Sequence, residues 1–128
     1  MPDFSLSLLA RRLFFAIAAF AVIGIGLHER QAEAHHGWSS YESEARTLVG
    51  PVTALSYANP HGTIEMTAEG KAYQVILAPV SRMNSRGLSA EMLAVGTQVT
   101  VVGYVKRDDP GEVRAERISV GGKTIELR

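Results

Sequence analysis

Residues 63–77 read TIEMTAEGKAYQVIL, and this stretch decides the fold. Apolar residues alternate with polar ones on both sides of the Glu-Gly-Lys triplet at 69–71. A period of two is typical of strands with one buried face, and a short glycine-containing break between two such runs indicates a hairpin. We therefore predict an antiparallel β-hairpin at the centre of the chain. Its predicted inward-facing residues are Ile64, Met66, Ala68, Tyr73, Val75 and Leu77.

Strand patterns also precede and follow this hairpin. Residues 48–57 are rich in strand-forming side chains, but they contain Gly50 and Pro51, which predict a bent, bulged or edge strand. Residues 99–105 alternate again, with three valines and Gly103 on the inward face. At least two further strands therefore surround the hairpin.

The C-terminal quarter of the chain predicts two more strands. Residues 108–111 read DDPG, which is a strong turn signal. The apolar phase then changes at Glu116 and Arg117, which predicts a β-bulge there. Gly121 and Gly122 predict a two-residue hairpin turn before the last apolar residues.

The period changes between residues 80 and 95, and we predict one short helix there. Ser89 is a favourable N-cap, and Gly96 is a plausible C-terminal stop, so the helix is placed at 89–93 and a helical turn at 81–85. Three strands, a helix and two or three strands follow the order of a small OB-like barrel. The predicted fold class is a mainly β, five- or six-stranded OB-like barrel, with a β-roll or small sandwich as alternatives.

An export signal is predicted at residues 1–34. Arg11 and Arg12 precede an apolar run at 13–27, which is shorter than the ~20 residues of a membrane span. The sequence Ala-Glu-Ala at 32–34 has the small-x-small form of a signal peptidase site. The predicted mature domain is residues 35–128, in the periplasm or secreted. A retained anchor and a twin-arginine route remain as alternatives.

Composition limits the partners of this domain. Residues 35–128 carry ten basic and ten acidic side chains, scattered along the sequence. This pattern argues against nucleic acid and against an electrostatic membrane anchor, so the membrane is expected to matter only through the signal segment. The chain has no cysteine, so no disulfide stabilises it. We expect a monomer whose partner is a metal ion or a periplasmic protein.

Three histidines are the candidate metal ligands. Cleavage after Ala34 would make His35 the first residue, which offers its amine and its ring, and His36 follows it. His61 comes after Asn59 and Pro60 in a predicted turn, which suits a positioned ligand. The alternatives are a frayed polar terminus for His35 and His36, and a loop-capping hydrogen bond for His61.

Three motifs occur in order along the mature part, AHHGW at 34–38, NPH at 59–61 and GTQVTVVG at 96–103. In this order the chain resembles a group of small exported bacterial proteins of unassigned function. The resemblance implies compartment and fold, and it implies no particular activity. The group has a bulkier residue at the position of Gly62, and the glycine in this chain predicts a looser loop behind His61.

Imidazole nitrogens favour Cu(II), Zn(II) and Ni(II), and the affinity order favours copper. The sequence therefore predicts a Cu(II)-binding protein that uses His35, His36 and His61. Met66, Met83 and Met92 are interpreted as packing residues rather than Cu(I) ligands.

No catalytic motif is found, so we do not expect an enzyme. The alternative is a metal-free barrel that binds a small ligand, peptide or protein partner. Its candidate binding residues are Trp38, Tyr41, Tyr57 and Tyr73.

Overall fold

The structure is a computed structural model that describes residue 37 and residues 39–128. The predicted signal helix and the candidate ligands His35 and His36 lie outside the described residues. The chain divides into two compact units, 1–39 and 40–128, and the strands given below belong to the second. In the part of the chain that is described, no helix has the length and hydropathy of a membrane span.

The second unit is a closed barrel. Its elements are β1 Arg46–Ser56, β2 Thr63–Ala68, β3 Lys71–Ile76, α1 Val80–Ser85, a 3-10 turn Glu91–Leu93, β4 Gln98–Val105, β5 Glu112–Val120 and β6 Lys123–Glu126. The strand order is β3-β2-β1-β4-β5-β6, and β3 also pairs with β5 in parallel, which closes five strands into a barrel. With α1 between β3 and β4, this is the predicted OB-like barrel.

The strand β1 serves both halves of the barrel. Residues 46–51 pair with β4, and residues 52–56 pair with β2. The register with β2 shifts between Val52 and Ala54, so the predicted bend is present. Because it has a partner on each side, β1 is a shared central strand rather than an edge strand.

Gly50 lies where β1 crosses the end of β2. A Cβ built at Gly50 would stand 2.9 Å from the carbonyl carbon of Thr67 and still closer to its oxygen. Real Cβ atoms do not approach backbone so closely, so this crossing requires a residue without a side chain. The bend predicted from Gly50 therefore depends on close backbone approach.

Both predicted hairpin turns and the predicted bulge are confirmed. Glu69 and Gly70 have φ angles of 51° and 73°, and Gly121 and Gly122 have φ angles of 58° and 77°. Two consecutive residues with positive φ are typical of tight hairpin turns. The register between β4 and β5 shifts by one residue at Glu116, which allows β5 to bury apolar residues in both phases.

The core combines the alternating strand residues that the sequence predicts with residues of the connection between β3 and β4. The fully buried large side chains are Leu48, Val52, Ile64, Met66, Val75, Met83, Leu88, Leu93, Val99, Val101, Ile118 and Leu127. The predicted packing role of Met66 and Met83 is thus confirmed, and Met92 packs half-buried against the same core.

The short helix lies in the predicted segment 80–95, but at its beginning rather than at residues 89–93. α1 occupies residues 80–85, where only a turn was expected, and residues 89–93 contain only the 3-10 turn. α1 begins directly after Pro79, which ends the strand region, and it places Met83 at 0% exposure in the core. Ser89 does not cap a helix, because Ala90 is the residue that precedes the 3-10 turn.

Candidate functional site

His61 lies half-buried in the loop between β1 and β2. The Asn59–Pro60 peptide bond before it is cis. The Asn59 side-chain oxygen accepts a hydrogen bond from the backbone N–H of Val80 at 3.4 Å, which connects the loop to the start of α1. The imidazole therefore projects from a loop that is attached to the helix.

The residue after His61 is held just as firmly. The N–H of Gly62 donates to Ala78 O, and the N–H of Leu77 donates to Gly62 O, both at 2.8 Å. Gly62 is buried, and a Cβ built there would stand 3.0 Å from the sulfur of Met83. The looser loop predicted from Gly62 is therefore wrong, because Met83 fills the space that a side chain would take.

Tyr57 closes the loop on its other side. Its hydroxyl lies 2.7 Å from Oδ1 of Asn84 and 2.5 Å from the carbonyl oxygen of Leu88. These contacts join the end of β1 to α1 and to the segment after it. The loop before β2 is thus fixed at its beginning, its middle and its end.

His61 is not part of a ready-made group of metal ligands within the described residues. In residues 37 and 39–128, no group of three or more His, Asp or Glu side chains is arranged to hold a metal ion. The other two sequence-predicted ligands, His35 and His36, lie outside the described residues.

Residues 40–42 dock against the barrel. The N–H of Glu42 donates to Val105 O, and the N–H of Arg107 donates to Ser40 O, both at 2.8 Å. Tyr41 is 9% exposed, and its hydroxyl donates to Oε1 of Glu112 at 2.5 Å. Residues 40–42 are therefore held beside the last residue of β4 and the first residue of β5.

Glu112 is the centre of this docking contact. Its second carboxylate oxygen accepts a hydrogen bond from the ammonium group of Lys106 at 3.2 Å, and this bond raises the pKa of Lys106. The guanidinium carbon of Arg114 lies 6.0 Å from the centre of the Tyr41 ring. Burial, followed by the hydrogen bond to Glu112, raises the pKa of Tyr41 from 10.0 to about 12.

The raised pKa of Tyr41 predicts a loss of stability in alkali. The folded protein holds the phenolic proton more tightly than the unfolded chain, so the stabilisation is complete below pH 10.0 and is lost as the pH rises towards about 12. In urea unfolding at several pH values, Tyr41→Phe should lose less stability over this interval than the wild type. Tyr104→Phe, which removes another glutamate-bonded hydroxyl, should keep the wild-type fall. Equal slopes for wild type and Tyr41→Phe would contradict the prediction.

Two of the four aromatic residues considered for a ligand surface are buried. Tyr41 and Tyr73 are 9% and 4% exposed, so a ligand surface built from these two side chains is wrong. Tyr57 is half-buried, and its hydroxyl is bonded to Asn84. Trp38 lies outside the described residues.

The comparisons with known proteins bear on the family. No curated protein matches the chain. A family model matches residues 25–114, and this match ends at Arg114, the residue of β5 that pairs with Ile76 where the barrel closes. The match covers more than half of the chain, and the family carries no assigned activity. The chain thus belongs to the family of unknown function DUF6152.

Proposed function

We propose that the protein is a periplasmic metal-binding protein, with Cu(II) as the favoured ion and His35, His36 and His61 as ligands. The observation that carries the proposal is the half-buried His61 on a loop fixed to α1 and to the end of β3. A histidine held in this way needs little ordering when a metal binds. Imidazole is also a preferred ligand of Cu(II).

Export supports the N-terminal part of the proposal. Signal cleavage after Ala34 would create a free amine on His35, so that one residue supplies two nitrogens. Metal binding requires deprotonated nitrogen ligands, so affinity should fall as the solution is made more acidic.

The test is a Cu(II) titration of protein recovered from the periplasm, after its intact mass has shown a start at His35. His61→Ala should weaken Cu(II) binding at least about tenfold, which corresponds to ~1.4 kcal/mol. An added N-terminal Met should weaken binding to a similar extent, because it removes the free amine from His35. Gln98→Ala, a change at an exposed residue of β4, is the control and should have no effect.

Two results would count against this function. A mature protein that retains residues 1–34 removes the terminal amine from the ligand set. Unchanged affinity in both His61→Ala and the extended protein refutes a shared site. If only the N-terminal extension matters, the metal is bound by His35 and His36 alone.

A metal-free binding barrel is the second candidate. A depression of about 110 Å³ lies on the outer face of β1, β2 and β3, lined by Ala54, Leu55, Ser56, Thr63, Glu65 and Gln74. OB-type barrels commonly bind ligands on this face. Correctly processed protein with no affinity for Cu(II) would favour this candidate.

A further inference from the structure

Five exposed cations surround the junction of α1, β5 and β6. We call this surface the basic shelf, and its cations are Arg82, Arg86, Arg117, Lys123 and Arg128. Arg117 pairs with Glu126, and Arg128 pairs with Glu116. The shelf therefore has three more positive than negative side chains, although the whole chain has a formal charge of zero. The order of charges along the sequence does not reveal this cluster, because its members are spread over residues 82–128.

Three of the cations are held in place by backbone carbonyls. Arg82 donates to Leu127 O at 3.1 Å, and Arg86 donates to Glu126 O at 2.7 Å. The ammonium group of Lys123 donates to the carbonyl oxygen of Gly87, next to Arg86, at 3.5 Å. Arg86 also donates to the main-chain oxygen of Arg128 at 2.5 Å. The acceptors at Leu127, Glu126 and Gly87 are neutral carbonyls, so those three bonds position the cationic groups without cancelling their charge. Positioned side chains lose less conformational entropy when they bind a partner.

The two ion pairs at the shelf are long and largely exposed. The closest approach is 4.0 Å between Arg117 and Glu126 and 3.8 Å between Arg128 and Glu116. The side chains of Arg117, Glu126 and Arg128 are 44%, 58% and 46% exposed. Exposed ion pairs at such distances are weak and readily exchanged.

We propose that the basic shelf binds an acidic, carboxylate-rich segment of another protein. Guanidinium groups match carboxylates through paired N–H donors, and four of the five cations are arginines. All five cations are exposed, so the shelf is open to an extended chain. This proposal goes beyond the proposed metal site, because the basic shelf contains none of the three proposed metal ligands, His35, His36 and His61.

The surroundings of the shelf favour a protein over a lipid surface. Proteins held on membranes by surface charge usually also insert apolar side chains or carry a second anchor. The large apolar side chains exposed in the described part of the chain are Val49 and Val95, and neither belongs to α1, β5 or β6. Charge alone is therefore what the shelf offers to a partner.

The test uses the full chain and a fluorescent deca-glutamate peptide, with a deca-serine peptide as reference, followed by fluorescence anisotropy. Binding should weaken between about 0.01 M and about 0.15 M salt, as the screening length falls from ~30 Å to ~8 Å. Arg82→Gln/Arg86→Gln should weaken binding by roughly tenfold, because two arginine–carboxylate contacts are lost together. Arg82→Lys/Arg86→Lys, which keeps the charge, should fall between this variant and the wild type.

The matched control is Arg46→Gln/Lys71→Gln, which removes the same charge near the β2–β3 turn, at the end of β3 opposite α1. It should stay within about twofold of the wild type. Lys123→Gln, whose contact with Gly87 is long, is a second shelf variant if the double variant does not fold. An equal loss in the control and shelf variants overturns the proposal. So does equal binding of the two peptides, or binding of inorganic tripolyphosphate without binding of deca-glutamate.

Discussion

Gly50→Ala is expected to destabilise the barrel by about 3 kcal/mol or more. The new methyl group would overlap the backbone of Thr67, with the carbonyl carbon only 2.9 Å from the Cβ. Backbone within a paired strand cannot move aside as the end of a flexible side chain can. β1 and β2 would have to separate at the point where β1 passes from β4 to β2. Urea unfolding followed by circular dichroism measures the loss.

Gly111→Ala is the matched control for this prediction. A Cβ at Gly111 meets only the carboxylate of Asp109, at an ordinary 3.4 Å, and the residue has no positive φ. This variant should stay within about 0.5 kcal/mol of the wild type. If Gly50→Ala and Gly111→Ala cost the same, close approach of β1 to β2 is not what requires glycine at residue 50.

Met83→Ala is expected to cost about 2–5 kcal/mol, because it leaves a cavity in the core where the Met83 side chain is fully buried. Met83 has 0% exposure, whereas Met92 is only partly buried against the core. Met92→Ala makes the same chemical change and should cost clearly less. Equal free energies of unfolding for the two variants would contradict this prediction.

The contact between Met83 and Gly62 allows a second test of how Met83 packs. Gly62→Ala alone should cost about 1–3 kcal/mol by overpacking against the Met83 sulfur, 3.0 Å from the new Cβ. In the Met83→Ala background the same change should cost much less, because its methyl group then occupies vacated space. Unfolding free energies of the four proteins give the coupling energy. Strictly additive costs would refute the packing of Met83 against the His61 loop.

Local sequence patterns were sufficient to predict most of the barrel. The hairpin turns, the bulge at Glu116 and the alternating core follow from residue type and a period of two, which act over a few neighbours. The position of α1 does not follow from such patterns. Ser89 is a good capping residue, but burial of Met83 determines where the helix forms, and that burial depends on the closed barrel.

The candidate site, like the fold, was predicted only where residues close in sequence determine the structure. The sequence singles out His61 and predicts a turn before it, and the structure adds a half-buried imidazole on a firmly held loop. The hydrogen bonds of Gly62 with Leu77 and Ala78 join distant parts of the chain and have no local signal. The basic shelf was missed for the same reason, because its cations meet only after β6 pairs with β5 beside α1.

The parallel pairing of β3 with β5 also sets an order of assembly. The β2–β3 hairpin joins neighbouring residues, so it can form as soon as its turn at Glu69 and Gly70 closes. Gln74 and Glu112 are separated in the sequence by α1 and β4, so we expect their pairing to form later than the hairpin. Contacts between such distant residues slow folding, typically to milliseconds or seconds in β proteins. Closure of the barrel by β5 should therefore be the late, rate-limiting event, and until then the inner face of the early hairpin remains open to water.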